Sequence, residues 1–161
     1  MSKIHIEIIN LKKTFEHVNG AITLFSNLNI RIKEGELVAL VGPSGTGKSS
    51  LLHLLALLDE PSQGKIILNN IDTKKLTDIE KDEIRRRNIS IIFQDNNLLT
   101  DFTAIENVKM PLIIKNDNDE VISKKAEKIL KDVKIFDRSN HFPNQLSGGE
   151  QQRVAIARAL I

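Results

Sequence analysis

Ile4, Ile6 and Ile8 alternate with polar residues, and so do Leu28, Ile30 and Ile32. That period of two predicts a pair of half-buried strands. After the turn Lys33-Glu34-Gly35-Glu36 the pattern changes to a continuous apolar run, Leu37-Val38-Ala39-Leu40-Val41, of the kind a buried parallel strand carries. A glycine-rich loop follows, and then an apolar helix predicted from Lys48 to about Leu58. Asp59-Glu60-Pro61-Ser62-Gln63-Gly64 reads as a turn, and Ile66-Ile67-Leu68-Asn69-Asn70 as a strand with a hairpin turn. Thr77 and Glu80 have the spacing of a capping box, opening a charged helix to about Arg87. Residues 89–93 predict another short strand. Further on, Ile122, Ala126, Ile129, Leu130 and Val133 share one helical face. The chain therefore reads as α/β, with strands and mixed elements first and a helical subdomain over residues 95–145. Asn116-Asp117-Asn118-Asp119 is the expected flexible loop.

Composition bounds this picture without redirecting it. The 161 residues suffice for one domain with its own core. Hydrophobic and charged contents of 40% and 27% are those of an ordinary globular chain. A net charge of +2 points neither toward nor away from nucleic acid, and no nucleic-acid partner is assigned. With no cysteine, disulfides, thiolate metal sites and cysteine nucleophiles are excluded. The first residues lack the apolar stretch of a signal peptide. The longest apolar stretch, from Leu51 to Leu58 and interrupted by His53, is far short of the roughly 20 residues that span a membrane. Any membrane role is expected to come through a partner.

The chemistry begins at Gly42-Pro43-Ser44-Gly45-Thr46-Gly47-Lys48-Ser49, which fits G-x-x-x-x-G-K-[ST] at every fixed position. Glycines let the backbone curl so that several N–H groups point at phosphate oxygens, and the following helix adds its positive end. Lys48 suits the β- and γ-phosphates, and the Ser49 hydroxyl suits Mg²⁺. Ser50 is counted with the ATP-binding residues. A glycine-rich turn that binds nothing is the competing reading, but the strand-to-helix context favours nucleotide. Leu54-Leu55-Ala56-Leu57-Leu58-Asp59-Glu60-Pro61 imitates the apolar strand ending in Asp-Glu that holds Mg²⁺ and supplies a base in nucleotide hydrolases. Asp59 lies eleven residues beyond Lys48 on one expected helix, about 16 Å away at 1.5 Å per residue. Asp59 and Glu60 are expected to be an acidic turn at a helix end, not a catalytic pair.

Leu146-Ser147-Gly148-Gly149-Glu150 precedes Gln151-Gln152-Arg153-Val154-Ala155-Ile156-Ala157-Arg158-Ala159-Leu160. A capping box explains Ser147 and Glu150 but not the paired glycines, which leave backbone N–H groups open to a phosphate. Together with the phosphate loop, this run resembles the signature motif of ABC ATPases, and the resemblance covers the chain in order. It implies a P-loop NTPase fold of the ABC type with N-terminal antiparallel β elements and a helical subdomain. The ATP-binding core would take residues 1–94, the helical subdomain 95–145, and the signature and its helix 146–161. It also implies head-to-tail pairing with a second ATPase subunit. Ser147, Gly148 and Gly149 would then contact the γ-phosphate of an ATP held by the partner's loop; Glu150 stands where many members have Gln. Phe15 falls where the family stacks an aromatic on adenine, with a plain core phenylalanine as the alternative. Gln94, directly after Ile91-Ile92-Phe93, matches the Q-loop glutamine, which touches Mg²⁺ and senses a membrane subunit.

The 53 residues from Gln94 to Ser147 leave room only for a compact helical subdomain, without the long insertions of other ABC ATPases; the resemblance is then to a transporter subunit and implies transmembrane permease partners. Leu98-Leu99-Thr100-Asp101-Phe102-Thr103-Ala104-Ile105-Glu106-Asn107-Val108-Lys109-Met110-Pro111-Leu112 is similar to the ATP-binding subunits of bacterial lipoprotein-releasing systems, as are Leu51-Leu52-His53-Leu54-Leu55 and His141-Phe142-Pro143. The resemblance implies a peripheral subunit on the cytoplasmic face of the inner membrane. ATPases of macrolide and peptide exporters and of the cell-division ABC complex share most of these strings. The family's Asp-Glu strand and switch histidine are not found among residues 1–161, so the domain is expected to be incomplete at its C-terminus. The chain alone is expected to hydrolyse ATP no faster than background and to leave apolar sheet edge beside residues 37–41 uncovered. A non-enzymatic, nucleotide-binding remnant of a truncated gene is the other reading. A GTPase or small-molecule kinase leaves the signature glycines unexplained.

Overall fold

The computed structural model describes residues 4–18, 20–115 and 117–161. They form two compact units, Met1–Arg85 and Arg86–Ile161.

The first unit is built on two long strands, β1 (Ile4–His17) and β2 (Gly20–Lys33). They pair antiparallel, with Ile6 opposite Ile32, Ile8 opposite Ile30 and Leu11 opposite Leu28, so the two alternating patterns meet on the same face. β3 (Gln63–Leu68) adds to the other side of β1, and β4 (Ile71–Asp72) follows it through a two-residue hairpin. The sheet order is β2-β1-β3-β4. Asn69 and Asn70 both have positive φ, 48° and 66°, the geometry of the primed turns that match strand twist. Helix α1 (Lys48–Leu55) is shorter than its apolar run suggested. Leu57 adopts φ 58° and breaks the helix although no glycine or proline marks the place. The buried apolar set includes Ile8 and Leu11 of β1, Ile66 of β3, and Leu51 and Leu54 of α1. Helix α2 (Asp78–Asn88) opens on the expected capping box: Thr77 N and Oγ1 both donate to Glu80 Oε2 at 2.8 Å.

Two predicted strands are not formed. Residues 37–41 and 89–93 pair with no strand among the described residues. Leu37, Val38, Leu40 and Val41 are exposed, as is Ile92. The physical reason is that a parallel strand exists only through neighbours brought by crossover connections, and apolar sequence alone supplies none. The expected uncovered sheet edge beside 37–41 does not arise in that form: the segment itself is outside any sheet of the described residues, and its apolar side chains are exposed for that reason.

In the second unit, α3 (Ala104–Ile114), α4 (Asp119–Asp132) and α5 (Gly148–Leu160) share one core. Ala104 and Val108 of α3, Ala126 and Leu130 of α4, and Val154 and Ala157 of α5 are wholly buried in it. The apolar face read on α4 supplies Ile122, Ala126 and Leu130 to the buried set. Asn107 is fully buried yet satisfied: its side chain donates to the Leu99, Phe102 and Thr103 carbonyls and accepts from Leu99 N, as buried amides require. Of the expected loop, Asn116 lies outside the described residues; Asn118 caps α4, which Asp119 begins.

Gly64 shows how tightly β3 meets β1. A Cβ there would stand 2.3 Å from the Asn10 carbonyl oxygen, and φ is +82°. Asn10 itself turns through φ 47° at the bulge where both ladders of β1 shift register. Gly64→Ala is expected to destabilise the chain by about 1–3 kcal/mol, from strain together with displaced backbone. Urea unfolding followed by circular dichroism should show a lower midpoint, and an unchanged midpoint would contradict the account.

Candidate functional site

The phosphate loop leads directly into α1. Gly47 occupies the N-cap with φ 86°, a left-handed conformation, and Leu51 N donates to its carbonyl at 2.9 Å. The first N–H groups of α1 therefore have no partner within the helix. Thr46 Oγ1 donates to the Pro43 carbonyl at 2.9 Å, closing the loop on itself. Lys48 curls back over it, its ammonium donating to the carbonyls of Gly42 at 2.8 Å and Pro43 at 2.6 Å. Two of its three donors are thus used and one is left for a ligand. Free N–H groups, a helix positive end and a tethered cation make this loop a receptor for anionic oxygens.

The loop is backed by β2. A Cβ on Gly47 would come within 3.0 Å of Leu24 Cβ and 3.1 Å of Phe25 Cδ1. In the sequence this pair is marked only by two consecutive large apolar residues, Leu24 and Phe25, interrupting a strand of alternating type. Phe15 stands on β1 opposite Ile22 of β2 and is 43% exposed, so the alternative of a core phenylalanine fails. Lys13 is only 7% exposed, and its ammonium lies 4.7 Å from the centre of the Phe15 ring. It donates to Asp59 Oδ1 at 2.7 Å and to the Glu60 carbonyl at 2.9 Å.

Asp59 follows α1 through a turn rather than riding on it, since the helix ends at Leu55. Burial opposes its charge, but the Lys13 hydrogen bond, the Glu60 N–H and the nearby Lys13 and His53 charges outweigh it and hold the carboxyl below its ordinary range. Glu60 is engaged by Lys81 at 2.6 Å. Both acids of the imitation strand therefore bind lysines.

Gln94 and residues 147–150 belong to the second unit. Gln94 is exposed in a turn. Just beyond it, Arg158 of α5 donates through Nη1 to the Asn97 carbonyl and through Nη2 to the Asn96 carbonyl, at 2.8 and 2.7 Å. The helix that starts at the signature thus holds the loop that follows Gln94. Ser147 caps α5: its N and Oγ donate to Glu150 Oε2, both at 2.8 Å. Gly148 and Gly149 are exposed, and a Cβ on either would meet nothing within 4 Å. Neither has the positive φ that calls for glycine, so the chain's own packing does not require them. Among the described residues no three His, Cys, Asp or Glu side chains group to hold a metal, and no helix is long and apolar enough to cross a membrane.

A family model described as ABC transporter matches residues 25–161. The chain is 45% identical over 155 residues to the lipoprotein-releasing system ATP-binding protein LolD of Hyphomonas neptunium. It is 46% identical over 159 residues to an uncharacterized ABC transporter ATP-binding protein, MJ0796, of Methanocaldococcus jannaschii. In each comparison 96% of this chain aligns with 68% of the relative. A dimeric structure of the MJ0796 ABC transporter cassette superposes with a TM-score of 0.90 at 45% identity, covering 96% of this chain and 68% of that one. So does a dimeric post-hydrolysis structure of MJ0796 bound to ADP and Pi.

Gly47→Ala is expected to weaken nucleotide binding by about tenfold or more, because an alanine at φ 86° is strained by about 1–2 kcal/mol and also crowds Leu24 and Phe25. Isothermal titration with ATP measures it; unaltered affinity would refute the backing role of β2. A second expectation concerns pH. The Ser147 N–H, then its hydroxyl, hold the Glu150 carboxyl below the ordinary range, with a lesser contribution from Arg138. A depressed folded-state value stabilises above the unfolded pKa of about 4.3, and that stability is lost as pH falls through the folded value. The protection of first-turn α5 amides, taken relative to their intrinsic exchange rate at each pH, should therefore fall below about pH 4.3, and Glu150→Gln should flatten that dependence.

Proposed function

The chain belongs to the ABC transporter family of ATP-binding domains, and from that premise we propose that it binds MgATP through 42–50 and Phe15 as half of a head-to-tail dimer. Ser147, Gly148, Gly149 and Glu150 face the ATP of the second subunit. The observation that carries this reading is the pair of glycines opening α5. Glycine at a helix position costs about 1 kcal/mol relative to alanine, and neither the conformation nor the packing of this chain repays it. Clearance for an incoming phosphate does. The TM-score of 0.90 to a dimeric cassette supports the same arrangement.

Within this reading, residues 1–161 are part of an ABC ATP-binding domain, with its ATP core at 1–94, its helical subdomain at 95–145 and the signature helix from 146 on. Phe15 offers an exposed ring to the base. A Mg²⁺ brought by ATP fits the exposed Ser49 hydroxyl at the start of α1: it is a hard oxygen donor, and the remaining ligands come from phosphates and water. The family resemblance alone assigns Gln94 as a further oxygen ligand. When bound, such a metal would supply charge neutralisation on the phosphates, while Lys48 and the loop N–H groups would hold and orient them. The ATPase couples to transmembrane permease subunits at the cytoplasmic face of a bacterial inner membrane. The transported cargo is lipoprotein, a reading supported by the 45% identity to a LolD.

The test separates the two faces. In the full-length protein, Lys48→Ala should abolish ATP binding. Gly148→Asp should leave binding by the monomer intact and abolish ATP-dependent dimerisation in sedimentation. Mixing the two variants should restore dimers with one functional ATP site. Equal loss of monomer binding in both variants would sink the two-faced reading. In cells, Lys48→Ala should retain lipoproteins in the inner-membrane fraction; a normal lipoprotein distribution alongside failed export of another cargo would overturn the cargo assignment.

A further inference from the structure

Asp59 and Glu60 are not explained by the site described above, and Lys13 is a buried cation close to it. All belong to the first unit. The Lys13 ammonium is 7% exposed and meets three electron-rich groups: the Asp59 carboxylate at 2.7 Å, the Glu60 carbonyl at 2.9 Å and the Phe15 ring at 4.7 Å from its centre. An ammonium has three donors, and here each has a receiver. The carboxylate is fixed in turn, since Asp59 Oδ1 also accepts from Glu60 N at 2.7 Å. Lys13 thus cannot drift from the ring without leaving a buried charge unpaired, which is strongly unfavourable.

We propose that Lys13, locked by Asp59 and the Glu60 carbonyl, is a positioning residue that fixes the Phe15 ring as a platform for a purine base. This rests on the reading of Phe15 as the base-stacking aromatic. Phe15 sits on an antiparallel ladder near the end of a hairpin, and its ring has large exposed area. Such a ring would otherwise rotate between rotamers, and a base would have to freeze it on binding. A cation held on one face removes that freedom in advance. It also draws π-density toward itself, which favours an electron-rich purine on the ring's open surface. The acidic turn after α1 is therefore part of base recognition at one remove, and no step of ATP hydrolysis is assigned to it.

Equilibrium binding by the full chain tests this, with ATP and inorganic tripolyphosphate as the two probes. Phe15→Ala should weaken ATP by about five- to hundredfold, the worth of one stacked base, and leave tripolyphosphate unchanged. Lys13→Met and Asp59→Asn should each weaken ATP by about two- to tenfold, again with tripolyphosphate unchanged. Lys13→Arg should restore most of the loss. Adding Lys13→Met to Phe15→Ala should cost nothing further. If Phe15→Ala leaves ATP affinity intact, the platform reading itself falls, and the proposal with it. If Phe15→Ala weakens ATP while Asp59→Asn and Lys13→Met do not, only the positioning role falls. Should Lys13→Met fail to fold, Asp59→Asn and Lys13→Arg carry the test. An equal loss of tripolyphosphate binding in those variants would assign Lys13 to the loop's stability and overturn the proposal.

Discussion

A buried ammonium has to be paired, and that requirement organises the first unit. Lys13 lies on β1, while its carboxylate partner Asp59 lies beyond the end of α1, 46 residues away in sequence. One ion pair therefore ties the strand bearing the exposed phenylalanine to the segment leaving the phosphate-loop helix. The desolvation of such a pair roughly cancels its attraction, so its worth lies less in net stability than in fixing one arrangement among several. From the other side, Leu24 and Phe25 of β2 press on Gly47. The antiparallel pair β1–β2 thus backs the loop at one place and carries the aromatic at another. The N-terminal sheet is better understood as the mounting of the nucleotide site than as a separate layer.

How much of this was legible depended on how local the cause was. The alternation in β1 and β2, the Asn69-Asn70 hairpin and the boxes at Thr77 and Ser147 are decided by neighbours in sequence, and all appear as read. The apolar face of α4 appears too, because helical period is a local property. Residues 37–41 fail for the opposite reason: their apolarity is local, but a parallel ladder is not. The end of α1 was misplaced because Leu57 turns left-handed without a residue that announces it. Lys13 and the Leu24–Phe25 backing were invisible because their partners lie 46 and about 22 residues away. A lysine in a strand reads as a solvated edge until something acidic is known to be opposite.

The strings similar to those of lipoprotein-releasing ATPases have a structural occupation of their own. Within residues 98–112, Thr103 caps α3 through a reciprocal box with Glu106. Asn107 staples the preceding loop with four hydrogen bonds. The backbone around His141 closes onto the same helix, with Ala104 N donating to the His141 carbonyl at 2.9 Å. Residues occupied in this way report how the helical unit is built. They do not themselves report the cargo: family membership rests on the match over residues 25–161, and the cargo is a proposal.

The two glycine motifs make a contrast that sharpens the functional reading. In the phosphate loop, Gly47 is demanded from within, by φ 86° and by side chains packed against it. At the start of α5 nothing within the chain demands glycine, and yet two stand there in succession. An internal demand builds a site; an unmet one points to something that approaches from outside. Ser147 and Glu150 keep α5 capped despite its weak first turn, so the exposed N–H groups stay ordered without being covered. Arg158 carries the same helix to the loop after Gln94. A ligand arriving at the glycines therefore meets a helix already held at its start and tied, three turns on, to the segment carrying the glutamine. The start of α5 is thereby linked, through the helix, to the segment that follows Gln94.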